Sequence, residues 1–168
     1  MLGAVVIVQE TEPADPESVE RAVAALAPEC DPVLVFGGGG RAGEYARPLR
    51  RAAGELPVLA TVLGEAGDGH AAVLAADLTH PSSELVRYMA RIRGSFDIVA
   101  PQRHDGSLQP LLALYRGSLR RRAEGLLAAG EHGIRPLLEI ATVRRVSVEE
   151  VAKFGDPECL LERAAPSS

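Results

Sequence analysis

The residue with the clearest chemistry in this chain is Asp77. It closes the small, apolar run Ala71-Ala-Val-Leu-Ala-Ala76, and a carboxylate at the end of a buried strand is a hard oxygen ligand, able to hold a magnesium ion against substrate phosphates. The structural alternative is that Asp77 caps the turn before Ser82. His80, three residues further on, can line the same mouth as a second ligand or a proton carrier, although most loop histidines do neither. A second candidate is the tetraglycine Gly37-Gly38-Gly39-Gly40 with Arg41, whose free backbone amides and guanidinium suit an anion. It has neither the Gly-Lys-Ser/Thr of a P-loop nor Gly-x-Gly-x-x-Gly, so a plain surface loop is the competing reading. A third group, Arg103, His104, Asp105 and Gln109, falls on the polar stretch between two apolar runs. No side chain stands out as a catalytic acid, base or nucleophile.

These residues need elements to position them, and the chain reads as alternating strands and helices. Ala4 to Val8 is a β-branched run of the kind found in a strand buried on both faces. Asp15 reads as an N-cap and Pro16 as the first helical residue, with Val19, Ala22, Val23 and Leu26 at helical spacing up to Pro28. Val33 to Phe36 is a second buried strand, and a strand–helix–strand unit of this length implies parallel pairing with a right-handed crossover. Leu56 to Leu63 is ambiguous. Val58, Thr61 and Val62 favour a strand, but only Gly64 to Gly69 would then link it to the strand at Ala71, too short for a parallel crossover. A helix with Pro57 at its first position and Gly67 after its end is the better reading, leaving Tyr45 to Ala53 as a short helix or irregular crossing. Ser82 or Ser83 caps a helix through Ile92. Phe96 to Ala100 and Leu111 to Tyr115 are strands, Ser118 caps a helix ending at Gly130, Ile134 to Ile140 is helical, Val143 to Val148 a short strand and Pro157 to Arg163 a last helix. The fold class expected is a three-layer, Rossmann-like α/β domain over residues 1–165, with a mostly parallel sheet, one antiparallel strand and a polar tail at 166–168. In such sheets ligands sit at the carboxyl edge, which is where Asp77 falls.

Composition narrows the function classes. The 168 residues carry a net charge of −5 and only 4% are aromatic, so the chain offers neither a positive field nor stacking platforms for nucleic acid. Of the 18 cationic side chains all but Lys153 are arginine, as codon bias would produce. Cys30 and Cys159 have no metal-site spacing and read as ordinary thiols of a reducing cytoplasm. The apolar start is too short to span a bilayer and lacks a basic flank, so a soluble, cytoplasmic protein without membrane partners is expected.

Phe96-Asp-Ile-Val-Ala-Pro-Gln-Arg-His-Asp-Gly-Ser-Leu-Gln-Pro-Leu-Leu-Ala-Leu-Tyr115, set against the strand ending at Asp77-Leu78, resembles the second half of a molybdenum cofactor guanylyltransferase. Gln109 to Tyr115 resembles the most recurrent sequence of that family after its metal-binding strand, and the likeness runs from about Gly69 to Leu161. It implies a nucleotide-diphospho-sugar-transferase-like fold, transfer of GMP from GTP to molybdopterin, magnesium at Asp77, and an acceptor-facing loop holding Arg103, Asp105 and Gln109. Gly37, Gly38 and Arg41 fall where the family has a loop near the base.

The departures are specific. The family's strand-terminal Cys-Asp-x-Pro reads Ala76-Asp-Leu-Thr-His-Pro81 here, and its late Asn-x-Asn-Thr-Pro-Glu reads Lys153-Phe-Gly-Asp-Pro-Glu158, with both asparagines lost. Its opening glycine-rich triphosphate loop and lysine are replaced by Gln9-Glu-Thr-Glu-Pro13, whose carboxylates repel phosphate. Losing the amide cradle and the cation removes several kcal/mol of transition-state stabilisation. The expectation is a nucleotidyltransferase-like protein of molybdenum cofactor biosynthesis with a degenerate site. The alternatives are a non-catalytic accessory homologue, working with a nucleotide or molybdopterin ligand and a partner protein or second copy, and an enzyme on another phosphorylated ligand held at Gly37 to Gly40.

Overall fold

The computed structural model describes residues 2–7, 16–36, 48–49 and 55–164. Over these the chain runs β1 (Leu2–Ile7), α1 (Pro16–Leu26), β2 (Cys30–Phe36), β3 (Pro48–Leu49), α2 (Glu55–Ala66), β4 (His70–Ala75), α3 (Ser83–Ile92), β5 (Ile98–Pro101) and β6 (Leu112–Arg116). A 3₁₀ turn (Gly117–Leu119) follows, then α4 (Arg120–Ala128), α5 (Arg135–Ile140), β7 (Val143–Val146), α6 (Val148–Val151) and α7 (Pro157–Leu161). The strands form one sheet in the order β3-β2-β1-β4-β6-β5-β7. Only β6 runs antiparallel to its neighbours, pairing Ala72 with Leu114 on one side and Val99 with Leu114 on the other. The expected fold class is the one observed.

Chain order explains where a ligand site can form. From β1 the chain moves one way to β2, then returns past β1 to place β4 on its other side, with Ile7 level with Ala75. Strand order reverses between β1 and β4, and at such switch points the flanking loops diverge and open a crevice at the carboxyl ends. α1 and α3 pack together on one face of the sheet, and α2, α4 and α5 on the other. All six positions of β4 are buried, as are Ile98, Val99 and Ala100 of β5 and Leu112 to Tyr115 of β6. Strands covered on both faces need this continuous apolar character, which is why they show no polar alternation.

The ambiguous stretch is helical. α2 buries Leu56, Val58, Leu59, Val62 and Leu63 between the sheet and α4, and a helix apolar on most sides carries no periodic signal to separate it from a strand. It begins at Glu55, so Pro57 is its third residue rather than its first. That position is still within the first turn, where a missing N–H breaks no hydrogen bond. Ser118 is not a cap: it lies within the 3₁₀ turn, and α4 begins after Leu119 with no side-chain cap. Ser82 does cap α3, its hydroxyl accepting from the Leu85 amide at 3.2 Å. β7 stops at Val146 because Ser147 opens α6 with a capping box to Glu150, and α7 stops at Leu161. The third strand is reduced to Pro48–Leu49 against Val35–Phe36. The expected cap at Asp15 lies outside the described residues.

Candidate functional site

Asp77 stands two residues beyond β4, at the carboxyl edge and beside the switch point. Its carboxylate is not free. Arg163 binds it with both prongs of the guanidinium, Nε to Oδ1 and Nη2 to Oδ2, each at 2.8 Å, and the two side chains are 24% and 37% exposed, arginine first. The backbone is tied as well. Ala164 donates its N–H to the Asp77 carbonyl at 2.7 Å, Thr79 donates to the Glu162 carbonyl at 3.1 Å, and Leu78 and Arg163 form an antiparallel bridge. A short segment, Glu162–Ala164, is thereby laid along Leu78–Thr79 across the end of β4.

Gln109 holds the root of that segment. It is 2% exposed, and its amide Nε2 donates to the Leu161 carbonyl at 2.9 Å while its backbone N–H donates to Pro101. A buried amide without such partners would be costly, so this bond fixes where α7 ends. Gln109 therefore does not face the open cleft, and its place in the fold is beneath it. Leu160 and Leu161 are also buried, and Asp156 caps α7 by accepting from the Glu158 N–H at 3.0 Å.

Arg103 and Asp105 lie together on a tight hairpin. Arg103 and Ser107 close it through an N–H···O bond of 2.8 Å, with Gly106 at φ +83°. Asp105 accepts from the hydroxyl and amide of Ser107 at 2.6 and 2.9 Å, which holds its carboxyl below the usual range. This loop and α7 form the walls of a cleft of about 530 Å³, lined by Arg103, His104 and Asp105 on one side and by Pro157, Glu158, Leu161, Glu162 and Arg163 on the other. Glu158, from the late motif, is thus brought opposite Arg103. His80 is exposed and lines a separate, more open depression with Arg21 and Ser82, its Nδ1 3.0 Å from the Thr79 hydroxyl. Gly37, Gly38 and Arg41 lie outside the described residues, as does the acidic stretch after β1.

Three other groups with chemistry of their own are not poised for it. His70 is buried, Nε2 meets the Phe96 carbonyl at 2.9 Å, and burial pushes its pKa down. Cys30 is pushed up to about 12 by burial and Cys159 is raised by Asp156, so neither is a poised thiolate.

A family model described as the MobA-like NTP transferase domain matches residues 14–149. The chain belongs to that family. Among curated relatives, a probable molybdenum cofactor guanylyltransferase from Mycobacterium avium (strain 104) is 28% identical over 142 residues, covering 79% of this chain and 71% of that protein. The fold matches molybdopterin-guanine dinucleotide biosynthesis protein A from Archaeoglobus fulgidus, with a TM-score of 0.69, 16% identity, and 96% and 91% of the two chains covered. It also matches Rv0371C from Mycobacterium tuberculosis H37Rv in complex with manganese, with a TM-score of 0.64, 12% identity and 88% of each chain covered. At these identities the structures establish the fold alone. No helix among the described residues is long and apolar enough to cross a membrane.

A divalent metal does not fit Asp77 as it is arranged here. Such an ion is held by several oxygen ligands with uncompensated charge, whereas the Asp77 carboxylate is charge-paired with the Arg163 guanidinium through both oxygens. Among the described residues, no group of three or more His, Cys, Asp or Glu is placed to share an ion. Arg163 is the residue that sequence reading missed. It lies 86 positions from Asp77, in a chain with many arginines, and no local pattern marks it.

Proposed function

We propose that this chain is a nucleotidyltransferase-fold protein of molybdenum cofactor assembly that binds a phosphorylated ligand, a nucleotide or molybdopterin, at the carboxyl edge and does not itself transfer GMP. The observation that carries this reading is the Asp77–Arg163 pair: the carboxylate that would hold magnesium has its charge matched by a guanidinium bound to both of its oxygens. In-line phosphoryl transfer relies on positioning and on charge neutralisation by metal and cation. With the Asp77 charge cancelled and carboxylates at Asp105, Glu158 and Glu162 around the cleft, the described residues do not supply that field. What they do supply is a shaped opening with the exposed Arg103 at its rim, suited to holding one phosphate group while the rest of a ligand contacts the wall formed by Leu161 and Pro157.

A second reading, active GMP transfer to molybdopterin with magnesium, is favoured by the names of the curated relatives. The two are separated by following labelled GMP from GTP into molybdopterin with the purified chain. The first reading expects none, and robust incorporation that depends on Asp77 establishes the second.

A further inference from the structure

We propose that the amino edge of the sheet, opposite the cleft, is a docking surface for an acidic segment of a partner polypeptide that carries apolar anchors. Phe96, Ile140 and the arginines around them form it, and the inference does not depend on what the cleft binds.

Among the described residues two large apolar side chains stand exposed, Phe96 at 37% and Ile140 at 52%, and one ion pair ties them together. Arg122 donates from Nη1 to the Asp97 carboxylate at 3.1 Å and to the Ile140 carbonyl at 3.5 Å, and Asp97 directly follows Phe96. The topology gathers cations at the same edge: Arg93 ends α3, Arg116 ends β6, and Arg120, Arg121 and Arg122 open α4. Arg93 and Arg116 donate to the backbone carbonyls of Ala90 and Ser95. Among the described residues neither of them, nor Arg121, is in an ion pair. That surplus stands in a chain of net charge −5. α4 also breaks a local rule. Cations destabilise a helix N-terminus, yet this one carries three, with no acidic residue in its first turn and no side-chain cap. Such violations concentrate where function requires them.

The observations select the occupant. Arginine and aromatic anchors are the composition of protein-binding hot spots, and the surplus charge selects carboxylates on the partner. A second copy joined by a two-fold axis would set these arginines against themselves. A polyanion would use the arginines and gain nothing from Ile140. The six residues of β4 lead from this edge towards Asp77, roughly 20 Å at the rise of a strand, so a partner seated here leaves the cleft open.

The probe is a fluorescein-labelled peptide, Glu-Asp-Leu-Phe-Glu-Asp-Leu-Glu, titrated into the full chain at low salt, with backbone amide NMR to map where it binds. Two controls replace its acids by Gln and Asn, or its Leu and Phe by Ser. The acidic peptide should shift the amides of Phe96, Asp97, Arg121 and Ile140, leave those of Asp105 and Glu158 unmoved, and outbind both controls. Arg121→Glu should weaken it about three- to tenfold, and Ile140→Ser about threefold or more. Because Arg121→Glu also places an acid at a helix N-terminus, its melting temperature should hold or rise, so the lost affinity is not a folding defect. No binding, equal binding of the neutral peptide, shifts confined to the cleft, or unchanged affinity in both variants overturns the proposal. So does a single-stranded oligonucleotide that displaces the peptide and is insensitive to Ile140→Ser. Self-association in sedimentation equilibrium that is lost in Ile140→Ser gives the surface to a second copy and overturns it as well.

Discussion

Removing the Asp77–Arg163 pair one partner at a time should reveal a coupling that a free, solvent-facing carboxylate would not have. Exposed ion pairs contribute about 0.2–1 kcal/mol, and hydrogen bonds to charged groups about 1.5–3 kcal/mol. This pair lies between those cases: two bonds of 2.8 Å in a fork, side chains 24% and 37% exposed. Partial exposure screens the charges, while the antiparallel bridge at Leu78 and the Ala164–Asp77 backbone bond hold them in register and lower the entropy of pairing. The expected coupling is about 1–2 kcal/mol in a cycle of Asp77→Asn, Arg163→Gln and the double variant. Arg163→Gln and Asp77→Asn should each lower the urea midpoint without changing the slope, and the double variant should lose little more than either single one. A coupling below about 0.3 kcal/mol, within the range where independent sites add, would refute the claim that Asp77 is committed to Arg163.

Two other outcomes follow from the packing and the electrostatics. A methyl group at Gly117 would overlap the backbone carbonyl oxygen of Gly67 and crowd that of Gly69, to which the Gly117 amide is bonded at 2.7 Å. Since neither backbone can yield without breaking the turn between α2 and β4, Gly117→Ala should cost on the order of 2–4 kcal/mol by chemical denaturation, and a change under about 0.5 kcal/mol would contradict the contact. Glu150 is held down to about 2 chiefly by Arg144, helped by Tyr88 and the Ser147 amide. Its folded value lies below the ordinary one, so its stabilisation is present above about pH 4.5 and is lost as pH falls towards 2. Screening by solvent reduces what the shift alone would give, and the loss should be on the order of 1 kcal/mol. Melts across that window should be flatter in Glu150→Gln, and an unchanged slope would show that the network contributes nothing.

The fold was legible because its signals are local. Buried strands such as β4 and β5 are continuous apolar runs, Ser82 and Pro16 mark helix starts, and the shortness of the Gly64–Gly69 link decided between helix and strand where propensity could not. Ser118 misled because a hydroxyl before an apolar helix is a good cap only when the backbone is extended there, and a 3₁₀ turn occupies that position instead. The candidate site was legible in part. The carboxyl-edge position of Asp77 and the Arg103–Asp105 wall follow from strand order, but the partner of Asp77 is set by a long-range return of the chain that no spacing encodes. Gln109 reads as ligand-facing from sequence because it opens the family-like stretch Gln109 to Tyr115 on a polar loop, yet its amide is buried and donates to the Leu161 carbonyl.

Transfer of labelled GMP from GTP to molybdopterin, with magnesium present, tests the account at its centre. With Asp77 held by Arg163, the purified chain should give no incorporation above the no-enzyme control. Robust incorporation by the wild-type chain, abolished by Asp77→Ala, would contradict the account and return Asp77 to the role of metal ligand.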